Sequence, residues 1–351
     1  MTFSAQALVA FAEAALVKAG MDTKARLVAE ILVEADLMGH DTHGLALLPA
    51  YVGELQRGTM LGSGEPEVLR DHGAVAHWDG HWLSGVGLVA DAIDTAAAKA
   101  RLYGIGAVSI RHAHHTACLQ AYLERATSRG LMVIIASSDP TSATVAPFGG
   151  LDAVLGPDPI AVGIPTAGDP ILIDMSSSIT TNGMVARTAR EGGRLGGQWL
   201  QDSQGRPTND PQVLATQPPG TLLLAGGHDH GQKGYGLALT VESLSQGLSG
   251  GGRKAASPRW TASVFVQVLD PAAFAGTDQF IDETEHLVWL CHRSRVRPGL
   301  DLAKVRVPGE QAQARRRMAL QSGIALRDGT LAELIALSER LGVPLRNKTE
   351  T

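Results

Sequence analysis

The stretch Gly39-His40-Asp41-Thr42-His43-Gly44-Leu45-Ala46-Leu47-Leu48-Pro49-Ala50-Tyr51-Val52 places two histidines, an acid and a hydroxyl between two helical patterns. Apolar residues recur at helical spacing on both sides, which predicts helices over residues 4–18 and 22–38 and a third helix that ends at Gly58. Thr42 is expected to cap this third helix, with His43 in its first turn. A histidine held at such a junction can donate or accept a proton at a fixed place.

The composition excludes several classes of protein. A chain of 351 residues with 44% hydrophobic and 19% charged residues is expected to be globular and soluble. Its net charge is -5 and it has no dense run of lysine and arginine, which argues against a nucleic-acid partner. It has no signal-peptide pattern and no apolar run of the roughly 20 residues that span a bilayer, so we expect a cytoplasmic protein without membrane contact. Cys118 and Cys291 are expected to be free thiols.

After Gly104 the sequence consists of short apolar runs separated by turn residues. These runs predict strands over residues 107–110, 132–136, 161–164, 171–173, 222–224 and 264–268, with helices near 91–103, 117–129, 236–248 and 331–341. Strands and helices do not alternate regularly, and no Gly-x-Gly-x-x-Gly follows a strand, so a standard Rossmann domain is disfavoured. The glycine- and serine-rich segment 249–259 is expected to be a mobile surface loop.

A second histidine cluster, Arg111-His112-Ala113-His114-His115-Thr116-Ala117, follows a predicted strand. Backbone N–H groups and side chains at a strand end can both face a cleft. A neutral imidazole can accept a hydroxyl proton as hydride leaves the same carbon, or supply that proton in the reverse direction. Either His43 or His115 could take this role, although a histidine in either place is more often a structural residue.

Three further segments contain backbone that can approach a ligand closely. They read Ala146-Pro147-Phe148-Gly149-Gly150, Leu155-Gly156-Pro157-Asp158-Pro159-Ile160 and Ile173-Asp174-Met175-Ser176-Ser177-Ser178. Glycine and proline at this density fix turns. Asp139 and Thr141, just before the first segment, are weaker candidates for contact with a substrate.

The run Gly231-Gln232-Lys233-Gly234-Tyr235-Gly236-Leu237 opens a predicted helix. Glycines at a helix start let a phosphate approach free N–H groups, and Lys233 adds positive charge where a dinucleotide could bind. Glu242, inside the same helix, is expected to form a structural ion pair. Val307-Pro308-Gly309-Glu310 is a later turn of the same kind.

In order and spacing, these motifs closely resemble the type 2 malate/L-lactate dehydrogenase family over nearly the whole chain. Members of that family usually read Ser-His-Gly at the first motif, Asn-Ser-x-His-Phe-Gly at the second and Lys-Gly-Tyr-Gly-Leu at the late helix. The resemblance implies hydride transfer between NAD or NADP and a small 2-hydroxy acid, 2-oxo acid or cyclic imino acid, without a metal.

The resemblance also implies the architecture. We expect an α/β (α+β) fold with a non-Rossmann NAD(P)-binding domain, built on a mostly antiparallel sheet, and a helical N-terminal region. The predicted division is 1–60 for the helical region with the first catalytic motif, 61–115 with 306–351 for a second α/β domain, and 116–305 for the NAD(P)-binding domain. A homodimer is the expected assembly.

Candidate roles follow residue by residue from the matched motifs, and no residue is assigned to a metal. The catalytic candidates are Thr42, His43 and His115; the cofactor-binding candidates are Thr116, Ala117, Asp174, Met175, Ser176, Gln232, Lys233, Gly234 and Gly309; the substrate candidates are Asp139, Thr141, Asn182, Gly183 and Arg187.

Two positions depart from the family pattern. Leu47 stands where the family has an arginine, four residues after His43, and Met184 stands where it has a lysine or an aspartate. Leucine cannot form the forked hydrogen bonds that arginine makes to a carboxylate. Either the substrate lacks the usual carboxylate, or a nearby cation such as Arg187, the preferred candidate, Arg111 or Arg190 binds it from another direction.

Two other classes of function stay open. A family member that binds the nucleotide but has lost catalysis is compatible with Leu47 and Met184. A metal-dependent hydrolase or lyase built on His112, His114 and His115, with His228, Asp229 and His230 as further ligands, is compatible with the His-x-His spacing. Metal analysis of the purified protein separates the second class from the first.

Overall fold

The computed structural model describes residues 2–255 and 257–346. Within these residues the α-helices are α1 (Ala5–Lys18), α2 (Ala25–Met38), α3 (Leu48–Arg57), α4 (Gly85–Tyr103), α5 (Glu124–Thr127), α6 (Asn182–Arg190), α7 (Gly227–His230), α8 (Gln232–Glu242), α9 (Thr277–Arg293), α10 (Glu310–Ser322) and α11 (Asp328–Leu341). The strands are β1 (Glu67–His72), β2 (Val75–Asp79), β3 (Ile105–Ala113), β4 (Met132–Ser138), β5 (Pro159–Ile164), β6 (Ile171–Ser176), β7 (Leu200–Gln201), β8 (Pro207–Thr208), β9 (Thr221–Leu222) and β10 (Ala262–Leu269).

A seven-stranded sheet, in the order β1-β2-β3-β10-β4-β5-β6, forms the centre of the described chain. Its strands β2 and β3 run parallel, and the other neighbouring pairs are antiparallel. Strands β7, β8 and β9 form a second, small sheet. The prediction of a mixed α/β fold with a mostly antiparallel sheet is therefore confirmed.

Strands from two of the predicted domains share the large sheet. β3, from the segment 61–115, pairs with β10, from the segment 116–305. Helix α4 packs against both of these strands, and α1 and α2 pack against each other at the N-terminal end. One continuous sheet therefore crosses the expected boundary between residues 115 and 116. The division into domains stays a prediction.

A single glycine allows α4 to begin directly beside the second histidine cluster. A Cβ added at Gly85 would lie 2.0 Å from the backbone oxygen of His114, far inside contact distance. The alanine-rich face of α4 is buried along its length, with Ala92, Ile93 and Ala96 fully inaccessible. Close packing of this helix therefore fixes the end of β3, where His114 and His115 follow.

Several predicted elements are confirmed with shifted ends, and others are wrong. The region 117–129 is not one helix but a 3-10 turn over Leu119–Tyr122 followed by the short α5. The helix expected over 236–248 begins earlier, at Gln232, and ends in a π-helical turn over Ser243–Gly247. The strand expected over 222–224 is confined to Thr221–Leu222.

The segment 249–259 was expected to be a mobile loop, but Arg253 anchors it to the rest of the protein. Its guanidinium pairs with Glu242 and donates to the backbone oxygen of Ser142 at 2.5 Å. The same contact confirms the structural ion pair expected for Glu242, because Arg253 is its partner.

None of the helices in the described part of the chain is both long and apolar enough to cross a membrane.

Candidate active site

A cleft of ≈ 330 Å³ brings the two histidine motifs together. His43 and His115 lie on its wall with Thr42 and Leu47 from the first motif and Trp260 from the segment that leads into β10. The floor and far side come from the ends of β4, β5 and β6 and from the start of α6: Ser137, Ser138, Asp139, Asp158, Ser176, Asn182 and Gly183. The cleft therefore collects residues from segments more than 200 positions apart.

A buried carboxyl, not Thr42, fixes the turn that carries His43. The third helix begins as a 3-10 turn at Leu45, so the predicted N-cap role of Thr42 and the placement of His43 in the first helical turn are wrong. Asp36 of α2 accepts a hydrogen bond from the Leu45 backbone N–H at 2.8 Å. A Cβ at Gly44 would lie 2.5 Å from this carboxyl group, so only glycine fits here. The pKa of Asp36 is raised to about 7, because burial disfavours its charged form.

Thr42 instead contacts the ring of His43 directly. Its hydroxyl lies 2.8 Å from His43 Nδ1. A hydroxyl can donate or accept, so this contact is compatible with a proton on either ring nitrogen of His43. No described residue hydrogen-bonds Nε2, on the opposite edge of the ring.

His115 is held in one tautomer. The buried Tyr51 hydroxyl lies 2.8 Å from His115 Nδ1, and the backbone N–H of Ala117 donates to the same nitrogen at 3.3 Å. A backbone N–H can only donate, so Nδ1 is an acceptor, and the proton of the neutral imidazole lies on Nε2. The ring also packs on Trp260, with 4.6 Å between centroids.

The two imidazoles face each other across a short distance. Their centroids are 6.1 Å apart and their planes differ by 26°. Burial lowers the pKa of His43 and lowers that of His115 further, because the neighbouring His43 adds to the effect of burial. Both rings are therefore neutral near pH 7, and each carries one ring proton.

The predicted site residues divide into two groups. Thr42, His43, Thr116, Ala117, Ser176, Asn182 and Gly183 line the cleft together with His115 and Asp139. Thr141, Asp174, Met175, Arg187, Gln232, Lys233, Gly234 and Gly309 lie outside the cleft lining.

Four of the outlying candidates have identifiable surroundings. Asp174 accepts from the Gln120 backbone N–H at 2.8 Å, and Thr141 hydrogen-bonds the carboxylate of Asp139. Gly234, in the first turn of α8, packs so closely that an added Cβ would lie 2.5 Å from the backbone of Ala225. Lys233, beside it, is exposed.

Arg187 is committed to a different partner. It donates to Asp41 at 2.8 Å and lies 3.2 Å from the sulfur of Met184. Arg327 binds the other carboxylate oxygen of Asp41. This ion-pair network connects α6 and α11 to the first motif, so Arg187 positions that motif and does not line the cleft.

Sequence reasoning missed three residues that shape the site. Tyr51 and Asp36 carry no motif of their own, and their roles depend on contacts across 64 and 9 positions. Asp158 belongs to a turn whose sequence indicates no particular role for it, yet it lines the cleft at 1% exposure. Its positive φ of 44° in a proline-flanked turn is unusual for a residue with a side chain.

The three histidines of the second cluster do not converge. His112 contacts Asp79 at 3.1 Å, the fully buried His114 contacts Glu54 at 3.3 Å, and His115 contacts Tyr51. Among residues 2–255 and 257–346, no group of three or more histidine, cysteine, aspartate or glutamate side chains is arranged to hold a metal ion. The structure gives the metal-dependent hydrolase no support.

Comparison with known proteins decides the family. The family model for malate/L-lactate dehydrogenase matches residues 3–335. The chain belongs to the malate/L-lactate dehydrogenase family. The resemblance inferred from the motifs is thus confirmed, and the protein is an NAD(P)-dependent dehydrogenase or reductase.

Relatives within the malate/L-lactate dehydrogenase family match more than nine tenths of the chain. The L-sulfolactate dehydrogenase of Methanothermobacter thermautotrophicus is 28% identical over 332 residues, 92% of each protein. The Delta(1)-pyrroline-2-carboxylate/Delta(1)-piperideine-2-carboxylate reductase of Pseudomonas putida is 32% identical over 328 residues, 91% of this chain and 90% of that protein. The crystal structure of malate dehydrogenase from Entamoeba histolytica, 25% identical, superposes with a TM-score of 0.91 over 98% of this chain and 99% of that one.

Proposed function

We propose that this protein transfers hydride between NAD or NADP and the carbon that bears the hydroxyl, oxo or imine group of a small molecule. The names of the relatives make 2-hydroxy acids, 2-oxo acids and cyclic imino acids the first class to test. One observation carries the proposal: two neutral imidazoles face the same cleft, each with Nδ1 occupied by a protein group and Nε2 without a described partner.

The contacts of the two rings give them different roles. His115 keeps its proton on Nε2 because Tyr51 and the Ala117 N–H occupy Nδ1, so it donates a hydrogen bond to the substrate oxygen. His43 can change tautomer because its Thr42 partner is a hydroxyl. In the oxidation direction, the substrate O–H proton moves to His43 Nε2 while the C–H hydride, with its two electrons, leaves for the nicotinamide; reduction reverses both transfers.

Several cleft residues fit a nicotinamide cofactor. Thr116, Ala117 and Ser176 line the cleft beside the histidines, and the buried Asn182 Oδ1 has no described hydrogen-bond partner, which is expected of a group that faces a ligand. When bound, the cofactor supplies the hydride acceptor or donor. Lys233, in the first turn of α8, is the proposed contact for a phosphate or ribose of the dinucleotide. The proposed binding mode is non-Rossmann, because the sequence contains no Gly-x-Gly-x-x-Gly after a strand.

A homodimer is the proposed assembly. Helix α9 has no buried residue in the isolated chain, and its Leu287, Trp289 and Leu290 are each about half exposed. Large apolar side chains on one helix at this exposure fit an interface better than solvent. Light scattering of the purified protein at micromolar concentration is expected to give twice the mass of the chain.

The test of the proposed function has two independent parts. Calorimetric titration with NADH and NADPH measures cofactor binding, and the absorbance of the reduced nicotinamide measures turnover over a panel of 2-oxo and 2-hydroxy acids, their neutral derivatives and cyclic imines. His43→Gln is expected to abolish turnover without loss of nucleotide binding, and His228→Gln, on the short helix α7, is the matched control. Nucleotide binding with no turnover on any compound would favour the family member that has lost catalysis.

A further inference from the structure

The cleft that Leu47 lines has no lysine or arginine among its described lining residues. Leu47 lies on the cleft wall, and among the described lining residues the charged types are two carboxyls, Asp139 and Asp158, with neither lysine nor arginine. The neutral imidazoles of His43 and His115 add no positive charge near pH 7. A substrate carboxylate next to the reacting carbon would enter a neutral to negative environment.

The three cations named from the sequence all pair with carboxylates: Arg187, Arg111 and the exposed Arg190, which lies 3.8 Å from Glu333. Arg187 pairs with Asp41 at 2.8 Å and its side chain is only 17% exposed. Arg111 pairs with Asp79 at 2.8 Å. Turning Arg187 toward the cleft would leave Asp41 with Arg327 alone, and turning Arg111 would leave the buried Asp79 without its arginine, so either movement breaks a charged hydrogen bond.

A fourth arginine, Arg253, binds Glu242 and the backbone oxygen of Ser142, a residue that lines the cleft. The carboxyl of Asp158 lies against this pair, and burial together with Glu242 raises the pKa of Asp158 to about 8. Because Arg253 pairs with Glu242, it adds little net positive charge to the cleft.

The cleft does offer unpartnered acceptors. The Oδ1 of Asn182 is buried and accepts no hydrogen bond from a described residue, and the buried Asp158 carboxyl has no described partner beyond Glu242 and the Gly156 backbone. One Asp158 oxygen is engaged by the hydrogen bond with Glu242, and the other oxygen stays an acceptor. A substrate carboxylate has no hydrogen to donate to these oxygens, whereas a substrate carboxamide has two N–H groups that can donate.

On the basis of the proposed function, we infer that the group next to the reacting carbon of the substrate is uncharged and donates hydrogen bonds. The structure assigns the substrate to the 2-oxo or 2-hydroxy carboxamides, with Leu47 against the carboxamide group and with Asp158 and Asn182 as acceptors for its N–H groups. The inferred substrates keep the oxo- or hydroxyl-bearing carbon of the substrates suggested by the relatives, and a carboxamide takes the place of the carboxylate.

Isosteric substrate pairs test the inference directly. The kcat/KM of the whole protein with NADH or NADPH is measured for 2-oxopropanoate and 2-oxopropanamide, and for the corresponding acid and amide with isobutyl and benzyl side chains. The amide is expected to be preferred by at least about tenfold in the best pair, the loss expected when a buried polar group is left unpaired. Leu47→Arg, which supplies a fork for a carboxylate, is expected to shift the amide-to-acid ratio toward the acid by about 10- to 100-fold, and Leu47→Gln, which adds polarity without charge, to leave the preference for the amide.

Each outcome is decisive. A preference of the wild-type protein for the acid overturns the inference and leaves the proposed function intact. Turnover of neither member of any pair, with nucleotide binding retained, also overturns it. Failure to bind NADH and NADPH refutes the proposed function itself. If Leu47→Arg does not fold, the wild-type ratio still decides, and Asp158→Asn is expected to reduce that ratio.

Discussion

Removing the Tyr51 hydroxyl tests the assignment of roles to the two histidines. Tyr51→Phe keeps the ring and its packing against Trp260 but deletes the contact of 2.8 Å to His115 Nδ1. Tyr51 is fully buried, and burial raises its pKa, so in the wild-type protein it stays a neutral donor across the physiological range. The variant removes this contact and the longer one, 3.4 Å, from the hydroxyl to the His115 backbone oxygen, and it adds no charge.

The size of the effect follows from the contacts that remain. A buried neutral hydrogen bond contributes about 1 kcal/mol net, and a buried acceptor left without a partner costs about 1–3 kcal/mol. The Ala117 N–H still donates to His115 Nδ1 at 3.3 Å, which places the expected loss at the low end, about 1 kcal/mol. If the tautomer of His115 matters in the transition state, this corresponds to a decrease in kcat of about five- to tenfold with KM little changed.

The measurement pairs kinetics with spectroscopy. Initial rates of NADH or NADPH oxidation give kcat and KM, and ¹⁵N NMR of the histidine rings reports which nitrogen of His115 carries the proton. Tyr122→Phe is the matched control, because Tyr122 is equally buried and donates to the Thr116 backbone oxygen at 2.6 Å without touching either histidine. Equal kcat in the two variants, or an unchanged His115 signal in Tyr51→Phe, would refute the assignment.

Three further predictions follow from other contacts. Lys233→Ala is expected to raise KM for the dinucleotide about tenfold and to leave KM for the substrate unchanged, as measured by varying each in turn. Thr42→Ser is expected to keep activity, and Thr42→Val to lose most of it by removing the hydroxyl at His43 Nδ1, with circular dichroism as the check on folding. Asp36 has a pKa of about 7 in the folded protein against 3.8 for an exposed aspartate, so the folded state binds more protons between these values. Its contribution to stability is therefore present below about pH 4 and is lost as pH rises through about 7; the unfolding free energy of Asp36→Asn, measured in urea, should vary less over this range.

The fold was largely predictable where one periodic pattern decided an element. Strands β4 and β10 and helices α1 and α2 agree with their apolar spacing within a few residues. Sequence failed where tertiary contacts interrupt a helical pattern. The run 117–129 is broken after Tyr122, whose hydroxyl bonds back to Thr116, and a continuous helix would lose that contact. The pairing order of the sheet was not predictable, because β10 inserts between β3 and β4 from far along the chain.

The motifs of the candidate site could be predicted from the sequence, but the contacts that position them could not. His43 and His115 were found because their surroundings resemble a known pattern, and the structure places both on one cleft. Arg187 was a candidate substrate cation because it lies three residues, about one helical turn, after Met184. In the structure its side chain instead binds Asp41 of the first motif. The spacing along the helix could not decide whether Arg187 binds a substrate or Asp41.

The contacts that hold the histidines are separate from the walls that meet the substrate. Gly44 and Gly85 leave no room for a Cβ, and each presses a catalytic segment against a buried group, the carboxyl of Asp36 in one case and the backbone of His114 in the other. Leu47, by contrast, is only partly buried, and its side chain makes no hydrogen bond that another residue would have to replace. We therefore expect a substitution at Leu47 to change what the cleft recognises more than it changes the contacts that hold His43 and His115.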